Sequence, residues 1–154
     1  MLSKPAYLKI MRASAWHDLV VTVAFMTPWS FVWLMSILGG IDAALGVPGD
    51  VPEMSPMLVL LGNLMGSVVI VWSVLRLHLN LAVFGRYDAA ARFLFSAWQI
   101  NAVLNGASWL VLVFVVAEIG FGIAQALPVR RDNTASVQDH ETVRSGIGRN
   151  AAAG

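Results

Sequence analysis

Four stretches of mainly apolar residues, separated by polar segments, organise most of the chain. The first stretch, Leu19 to Leu38, and the second, Met57 to Leu75, contain no charged residue. Each is close to the 20 or so residues that an α-helix needs to cross about 30 Å of hydrocarbon. Each is also longer than the apolar core of about 7–15 residues in a secretory signal. Both stretches are therefore predicted to be membrane-spanning helices.

The third stretch, residues 87–104, is less apolar because it contains Asp88, Arg92 and Gln99. With about 100° between successive residues of a helix, these three side chains fall on one narrow stripe. The remaining surface of the helix is apolar. This pattern predicts a third spanning helix with a single polar face.

The fourth stretch, residues 109–127, is interrupted only by Glu118 and Gln125. Asn105-Gly106 separates it from the third stretch and is typical of a tight turn. Pro128 and the following arginines end it. We therefore expect a fourth spanning helix that packs antiparallel to the third.

The remaining segments are predicted to be irregular. Residues 39–56 are rich in glycine, proline and acidic residues without a helical period, which predicts a loop. From residue 130 onward the chain has too few apolar residues to offset the entropy of ordering. The expected organisation is a membrane domain over residues 1–128 and a disordered cytoplasmic tail over residues 129–154.

Composition agrees with a membrane protein and excludes several other classes. Hydrophobic residues make up 58% of the chain and charged residues 12%, about half the usual charged share of a soluble protein. The net charge of +1 has no basic cluster with interleaved aromatic residues, so no nucleic-acid partner is expected. Without cysteine there is no disulfide, thiolate nucleophile or Cys-based metal site.

The placement of Lys and Arg predicts the orientation in the membrane. Loops 39–56 and 105–108 contain neither residue type, whereas the N-terminal segment, the connection between the second and third stretches and the tail contain nine of the ten, and Arg92 follows that connection at the start of the third stretch. Because cytoplasmic segments carry the Lys/Arg excess, both termini are expected in the cytoplasm. The predicted fold is all-α: a four-transmembrane-helix antiparallel bundle in a plasma-type membrane, most simply a bacterial inner membrane.

Glu118 is the strongest candidate for chemistry because it lies near the middle of the fourth predicted helix. A charged side chain there costs about 2.5–3.5 kcal/mol on insertion scales, so it needs a partner. Counting outward from the Asn105-Gly106 turn places Arg92 within reach, with Gln99 as a hydrogen-bond partner and Asp88 competing for the same guanidinium. Two hypotheses follow: an ion pair that locks two helices together, or a polar pathway or proton-linked site.

The second helix contains small residues that favour close helix packing. Gly62 and Gly66 form a GxxxG pattern that Ser67 continues, and Asn63 lies between the glycines. The pattern is typical of packing within one chain, with a seam between copies of the chain as the alternative. Asn63 is expected to bond a neighbouring helix rather than a ligand.

Histidines and loop acids give weaker signals. His17 and His78 lie at similar depth near the predicted cytoplasmic ends of two helices, but no third ligand accompanies them at metal spacing, so interfacial histidines are the preferred interpretation. His140 belongs to the predicted tail. The acids of loop 39–56 lack the alternating ligand spacing of a calcium loop. We expect no metal and no cofactor.

No phosphate loop, nucleophile elbow, dinucleotide fingerprint or HExxH motif occurs in the chain. The leading functional hypothesis is a non-enzymatic subunit, assembly factor or scaffold that works in the lipid bilayer, alone, as a homo-oligomer or in a larger membrane complex. A small oligomeric transporter or channel is the second hypothesis. The third is a membrane enzyme that acts on a lipid or a quinone.

Overall fold

The computed structural model describes residues 1–129, which form five α-helices, one 3-10 turn and no β-strand. The helices are α1 (Lys4–Thr22), α2 (Pro28–Leu45), α3 (Pro56–Leu79), α4 (Val83–Leu104) and α5 (Val111–Ala126). The all-α prediction is therefore confirmed for this part of the chain. The predicted tail, apart from Val129, lies outside the described residues.

Local sequence signals set the starts and ends of the first three helices. Ser3, Thr27 and Ser55 each precede a helix and accept a hydrogen bond from a backbone N–H of its first turn. Each of these helices has a proline at its first or second position, where no hydrogen-bond donor is required. Gly46 and Asn80 end α2 and α3 in the left-handed conformation typical of helix C-termini.

The first predicted helix, residues 19–38, is wrong as a continuous helix. The chain leaves α1 at Thr22, makes the 3-10 turn Val23–Met26 and starts α2 at Pro28. Proline lacks the N–H that would continue the ladder, and Thr27 is extended, with φ −130° and ψ 150°. The predicted loop 39–56 is also too long, because α2 continues to Leu45 and the irregular segment covers 46–55.

Side chains satisfy carbonyl groups that the break between α1 and α2 leaves without helical partners. Asn63 Nδ2 donates to the carbonyl of Phe25 over 2.7 Å, from α3. Ser30 Oγ, at the start of α2, donates to the carbonyl of Ala24 over 2.8 Å. The interruption is thus a satisfied structural element, in which Asn63 bonds the 3-10 turn between two helices.

The pattern of small residues on α3 forms the contact with this break. A methyl group added at Gly66 would lie 2.8 Å from the carbonyl oxygen of Phe25, and one added at Gly62 would lie 2.7 Å from the ring of Phe31. Both glycines therefore face segments of the same chain, as the packing hypothesis predicts. Ser67 is exposed and its hydroxyl bonds the carbonyl of Asn63 within α3.

The partners of α3 show that α1 and α2 run in one direction along it. Successive residues of the path from α1 to α2 contact successively earlier residues of α3. The contacts are Asp18 with Arg76, Phe25 with Gly66 and Phe31 with Gly62. α1, the 3-10 turn and α2 therefore form one interrupted path antiparallel to α3. α4 and α5 form the second antiparallel pair, joined at Gly106 with φ +100°.

Backbone hydrogen bonds join the two pairs at opposite ends. At one end Leu2 N–H donates to the carbonyl of Pro128 over 3.0 Å. At the other, Asp50 N–H donates to the carbonyl of Gly106 over 2.9 Å, and Ser108 N–H donates to that of Asp50 over 3.0 Å. The segment between α2 and α3 therefore lies against the turn between α4 and α5.

In the described residues many large apolar side chains are exposed, whereas several charged side chains are buried. α2 and α3 are long and apolar enough to cross a membrane by length and composition, yet only 6% and 11% of their most apolar stretches are buried. Large apolar side chains such as Trp29, Val68, Trp98 and Val116 are exposed. The described interior contains charged side chains such as Arg76, Asp88 and Arg92 beside apolar ones such as Met11 and Phe31.

Candidate functional site

Four charged side chains form a closed ring in the interior, which we call the charge ring: Asp18, Arg76, Asp88 and Arg92. Each arginine binds both aspartates and each aspartate binds both arginines. Arg92 Nη2 lies 2.6 Å from Asp18 Oδ2, and Arg92 Nε lies 3.2 Å from Asp88 Oδ2. The ring contains equal numbers of positive and negative charges, so it is neutral when all four groups are ionised.

Helical spacing places the ring residues on three helices. Ser14 and Asp18 lie one turn apart on α1, Ser73 and Arg76 one turn apart on α3, and Asp88 and Arg92 one turn apart on α4. Because each pair faces the same point, the ring ties α1, α3 and α4 together.

Ser14 lies at the centre of the charge ring. Its hydroxyl oxygen accepts hydrogen bonds from Arg92 Nη2 over 2.7 Å and from Arg76 Nη1 over 3.1 Å. The same hydroxyl donates to Asp88 Oδ2 over 3.1 Å. Gln125 of α5 donates its amide N–H to Ser14 over 2.9 Å. The hydroxyl therefore connects all four helices of the interior.

The four side chains of the ring are buried, and several of their polar atoms form further hydrogen bonds with neighbouring side chains. Relative exposure is 1% for Arg76, 2% for Arg92, 3% for Asp88 and 9% for Asp18. Trp72 Nε1 donates to Asp88 Oδ1 over 3.1 Å, and Arg76 donates to Ser73 Oγ over 3.0 Å. Buried charges need this degree of pairing because each unpaired ion carries a desolvation cost of several kcal/mol.

Glu118 lies beside the ring and is bonded to only one of its members. Arg92 Nη1 donates to Glu118 Oε2 over 2.7 Å, which is the ion pair predicted from the depth of these residues on facing helices. The Arg92 guanidinium also lies 5.1 Å from the centre of the Phe121 ring, one turn further along α5. Glu118 is therefore a third carboxylate on a guanidinium that already serves two aspartates.

Of the other predicted site residues, only Asp88 belongs to the charged cluster. Asp88 binds Arg92, as expected for its position one turn earlier on α4. Gln99 does not join the cluster: its Oε1 is buried without a hydrogen-bond partner among the described residues. Asn63, Gly62 and Gly66 belong to the contact at the helix break, separate from the charges.

Sequence reasoning missed Asp18, Arg76, Ser14 and Gln125. Asp18 and Arg76 directly flank charge-free stretches, so they read as the polar ends of spanning helices rather than as interior groups. The signal that could have found them is the spacing of polar residues by three or four positions at the predicted cytoplasmic end of each spanning helix. The pairs are Ser14 and Asp18, Ser73 and Arg76, and Asp88 and Arg92.

No group of three or more His, Asp or Glu side chains in residues 1–129 is arranged to hold a metal ion. His17 Nδ1 lies 3.4 Å from Asp18 Oδ1, and its ring centre lies 5.2 Å from that of Phe121. His78 is exposed at the end of α3. Asp42, predicted to be in the loop, lies in the last turn of α2 and accepts a hydrogen bond from Ser108. His140 lies outside the described residues.

Comparison with protein-family models, with curated proteins and with solved structures found no match for this chain.

Proposed function

We propose that the chain is a four-span protein of a bacterial inner or similar plasma membrane, with both termini in the cytoplasm. The interrupted path α1–α2 counts as one crossing, and α3, α4 and α5 as the other three. In this arrangement the charge ring lies toward the cytoplasmic end of the bundle. The segment between α2 and α3 and the turn between α4 and α5 lie on the external side.

Three observations support this topology. α4 and α5 expose large apolar side chains, for example Leu94 at 58% and Val113 at 69%, as α2 and α3 do. The hydrogen bond between Leu2 and Pro128 brings the two ends of the membrane domain together. Lys and Arg are absent from the two segments proposed to be external.

Within the membrane we propose a non-enzymatic role as a subunit, assembly factor or scaffold. The observation that carries this proposal is the closed charge ring, in which each charge contacts two opposite charges. Arg76 and Arg92 also donate to Ser14, Arg76 donates to Ser73, and Asp88 accepts from Ser14 and Trp72. Such a ring fixes the relative register of α1, α3 and α4, because a shift of one helix would leave buried charges without partners. A rigid bundle with an apolar exterior is suited to presenting a fixed surface to other membrane proteins.

Topology is tested with reporter fusions to truncated and full chains. Fusions after residues 82 and 130 should report the cytoplasm, and fusions after residues 51 and 107 should report the external side. An external signal after residue 130 would contradict the four-span arrangement.

The scaffold role is tested by two measurements on the full chain. Extracted from its native membranes in mild detergent, the chain should elute in a larger assembly than the same chain purified and reconstituted alone. In proteoliposomes it should give no proton or potassium flux above protein-free vesicles. A flux that Asp88→Asn abolishes, while Glu53→Gln in the exposed loop leaves it unchanged, would favour the transporter hypothesis instead.

A further inference from the structure

We propose that Glu118 is a reversible proton-binding site, which takes up one proton per folded chain while the charge ring stays intact. This property goes beyond the scaffold role and does not depend on it. It rests on three features of the cluster: its charge balance, the unequal bonding of its carboxylates and the accessibility of one edge.

Charge balance singles out one surplus carboxylate. The cluster contains three carboxylates, from Asp18, Asp88 and Glu118, and two guanidinium groups, from Arg76 and Arg92. The ring is neutral by itself, so Glu118 adds one uncompensated negative charge in a region of low dielectric. A bound proton removes that charge without disturbing any ion pair of the ring.

The bonds of the carboxylates show which of them is free to take the proton. Asp18 and Asp88 each bind both arginines, and Asp88 also accepts hydrogen bonds from Ser14 and Trp72. Glu118 has one hydrogen bond, through Oε2 to Arg92. Within residues 1–129 its Oε1 accepts none, so a proton can be carried there while Oε2 keeps its contact with Arg92.

Glu118 also lies at the accessible edge of the cluster. Its side chain is 15% exposed, and that of His17 beside Asp18 is 31% exposed, whereas the guanidinium-bearing side chains of Arg76 and Arg92 are 0% and 3% exposed. Besides Arg92 on α4, which contacts Glu118, the charged or titratable groups that influence it electrostatically are Asp18 and His17 on α1. Arg76, on α3, faces it only across the ring.

Two buried polar atoms of the cluster have no hydrogen-bond partner among the described residues. Gln125 is fully buried and directs its amide N–H to Ser14, yet its Oε1 has no partner in the described part of the chain. Arg76 Nε is likewise buried without a partner. A water molecule able to pass a proton to the cluster would satisfy such groups.

The inference is tested on the full chain in detergent micelles by infrared difference spectroscopy between high and low pH. Compared with Glu118→Gln, the wild-type chain should gain an additional C=O band of a protonated carboxylic acid and take up about one more proton, in sodium and in choline salts alike. Glu118→Gln should lose both the band and the proton, with unchanged helix content by circular dichroism. Because Gln resembles the protonated side chain in shape and charge, this variant is expected to fold.

Matched controls are available in the same chain. Glu53→Gln removes an exposed glutamate and His78→Gln an exposed histidine, and both should retain the band assigned to Glu118. A band that survives in Glu118→Gln would overturn the assignment. Replacement of the proton uptake by a response that requires sodium would show a metal-cation site instead, and identical pH-dependent bands in wild type and Glu118→Gln would show that Glu118 does not exchange a proton.

Discussion

Arg92 Nη1 donates to Glu118 Oε2 over 2.7 Å, although the same guanidinium also binds Asp18 and Asp88. The dependence between the two residues is therefore one-sided. Glu118 has no other ion-pair partner among the described residues, whereas Arg92 has two more. Removing one side of the pair should not have the same effect as removing the other.

This asymmetry gives the first prediction. Glu118→Gln should lower the free energy of unfolding by only about 0.5–1.5 kcal/mol, the net value of one hydrogen bond, because the charge ring remains closed. Arg92→Gln should lower it by about 3–5 kcal/mol because it opens the ring and leaves carboxylates buried without a counter-charge. Chemical unfolding of each full-length variant in micelles measures the difference.

Arg86→Gln serves as the control for Arg92→Gln, since Arg86 is an exposed arginine on the same helix. It should change stability by less than about 0.5 kcal/mol. Equal losses in Glu118→Gln and Arg92→Gln would show that the ring does not hold Arg92 independently of Glu118.

The second prediction concerns the neutrality of the ring. Arg76→Gln should destabilise the chain strongly, and adding Asp88→Asn should recover part of the loss, because Asp18 and Arg92 then remain as a matched pair. Residues that do not interact add within about 0.3–0.5 kcal/mol, so a double-mutant cycle separates coupling from independent damage. Additive losses for the two substitutions would argue against a closed ring.

Close packing at the helix break gives the third prediction. Gly66→Ala should destabilise the chain by about 1–3 kcal/mol, because the new methyl group would meet the backbone of Phe25, which cannot rotate away. Gly120→Ala in α5 is the matched control, since nothing lies within 4 Å of that position. It should be neutral or slightly stabilising, as alanine favours helix. Comparable thermal unfolding of the two variants would place Gly66 against lipid.

The fourth prediction tests the hydrogen bond across the break. Asn63→Ala should cost about 1–3 kcal/mol because it leaves the partly buried carbonyl of Phe25 without the Asn63 donor. Ser67→Ala removes a hydroxyl that bonds only within its own helix, so its effect should be small. Hydrogen exchange of the amides in residues 22–27 should accelerate in Asn63→Ala alone. Unaltered exchange there would mean that Asn63 does not support the break.

The sequence predicts those features that depend on spacing along one helix or on the count from a single turn. Arg92 and Glu118 are connected by the short α4–α5 turn, so their relative depth follows from counting residues. Asp18 could not be placed in this way, because α1 is separated from α4 by the helix break, by α2 and by the segment 46–55. Arg76 is separated from α4 only by the short connection 80–82, but at the end of a charge-free stretch it reads as the polar end of a spanning helix. Their burial depends on how three helices rotate about their axes, which the apolar pattern of each helix leaves open.

The error at the first helix has a similar cause. The apolar stretch across residues 19–38 is continuous in composition, and Pro28 by itself is compatible with a kink or with a full stop in a membrane helix. The outcome depends on whether other groups can satisfy the exposed carbonyls. Asn63 and Ser30 do so, and only their positions in three dimensions reveal it.

The order of the ring residues along the chain has a consequence for biosynthesis. If the helices enter the membrane as they are translated, Asp18 arrives with α1 and finds Arg76 when α3 follows. α4 then adds both Asp88 and Arg92. The ring therefore has equal numbers of acidic and basic groups after the entry of α3 and again after the entry of α4. Only the last helix, α5, introduces an unmatched charge, and by then the acceptor for it, Arg92, is already in place.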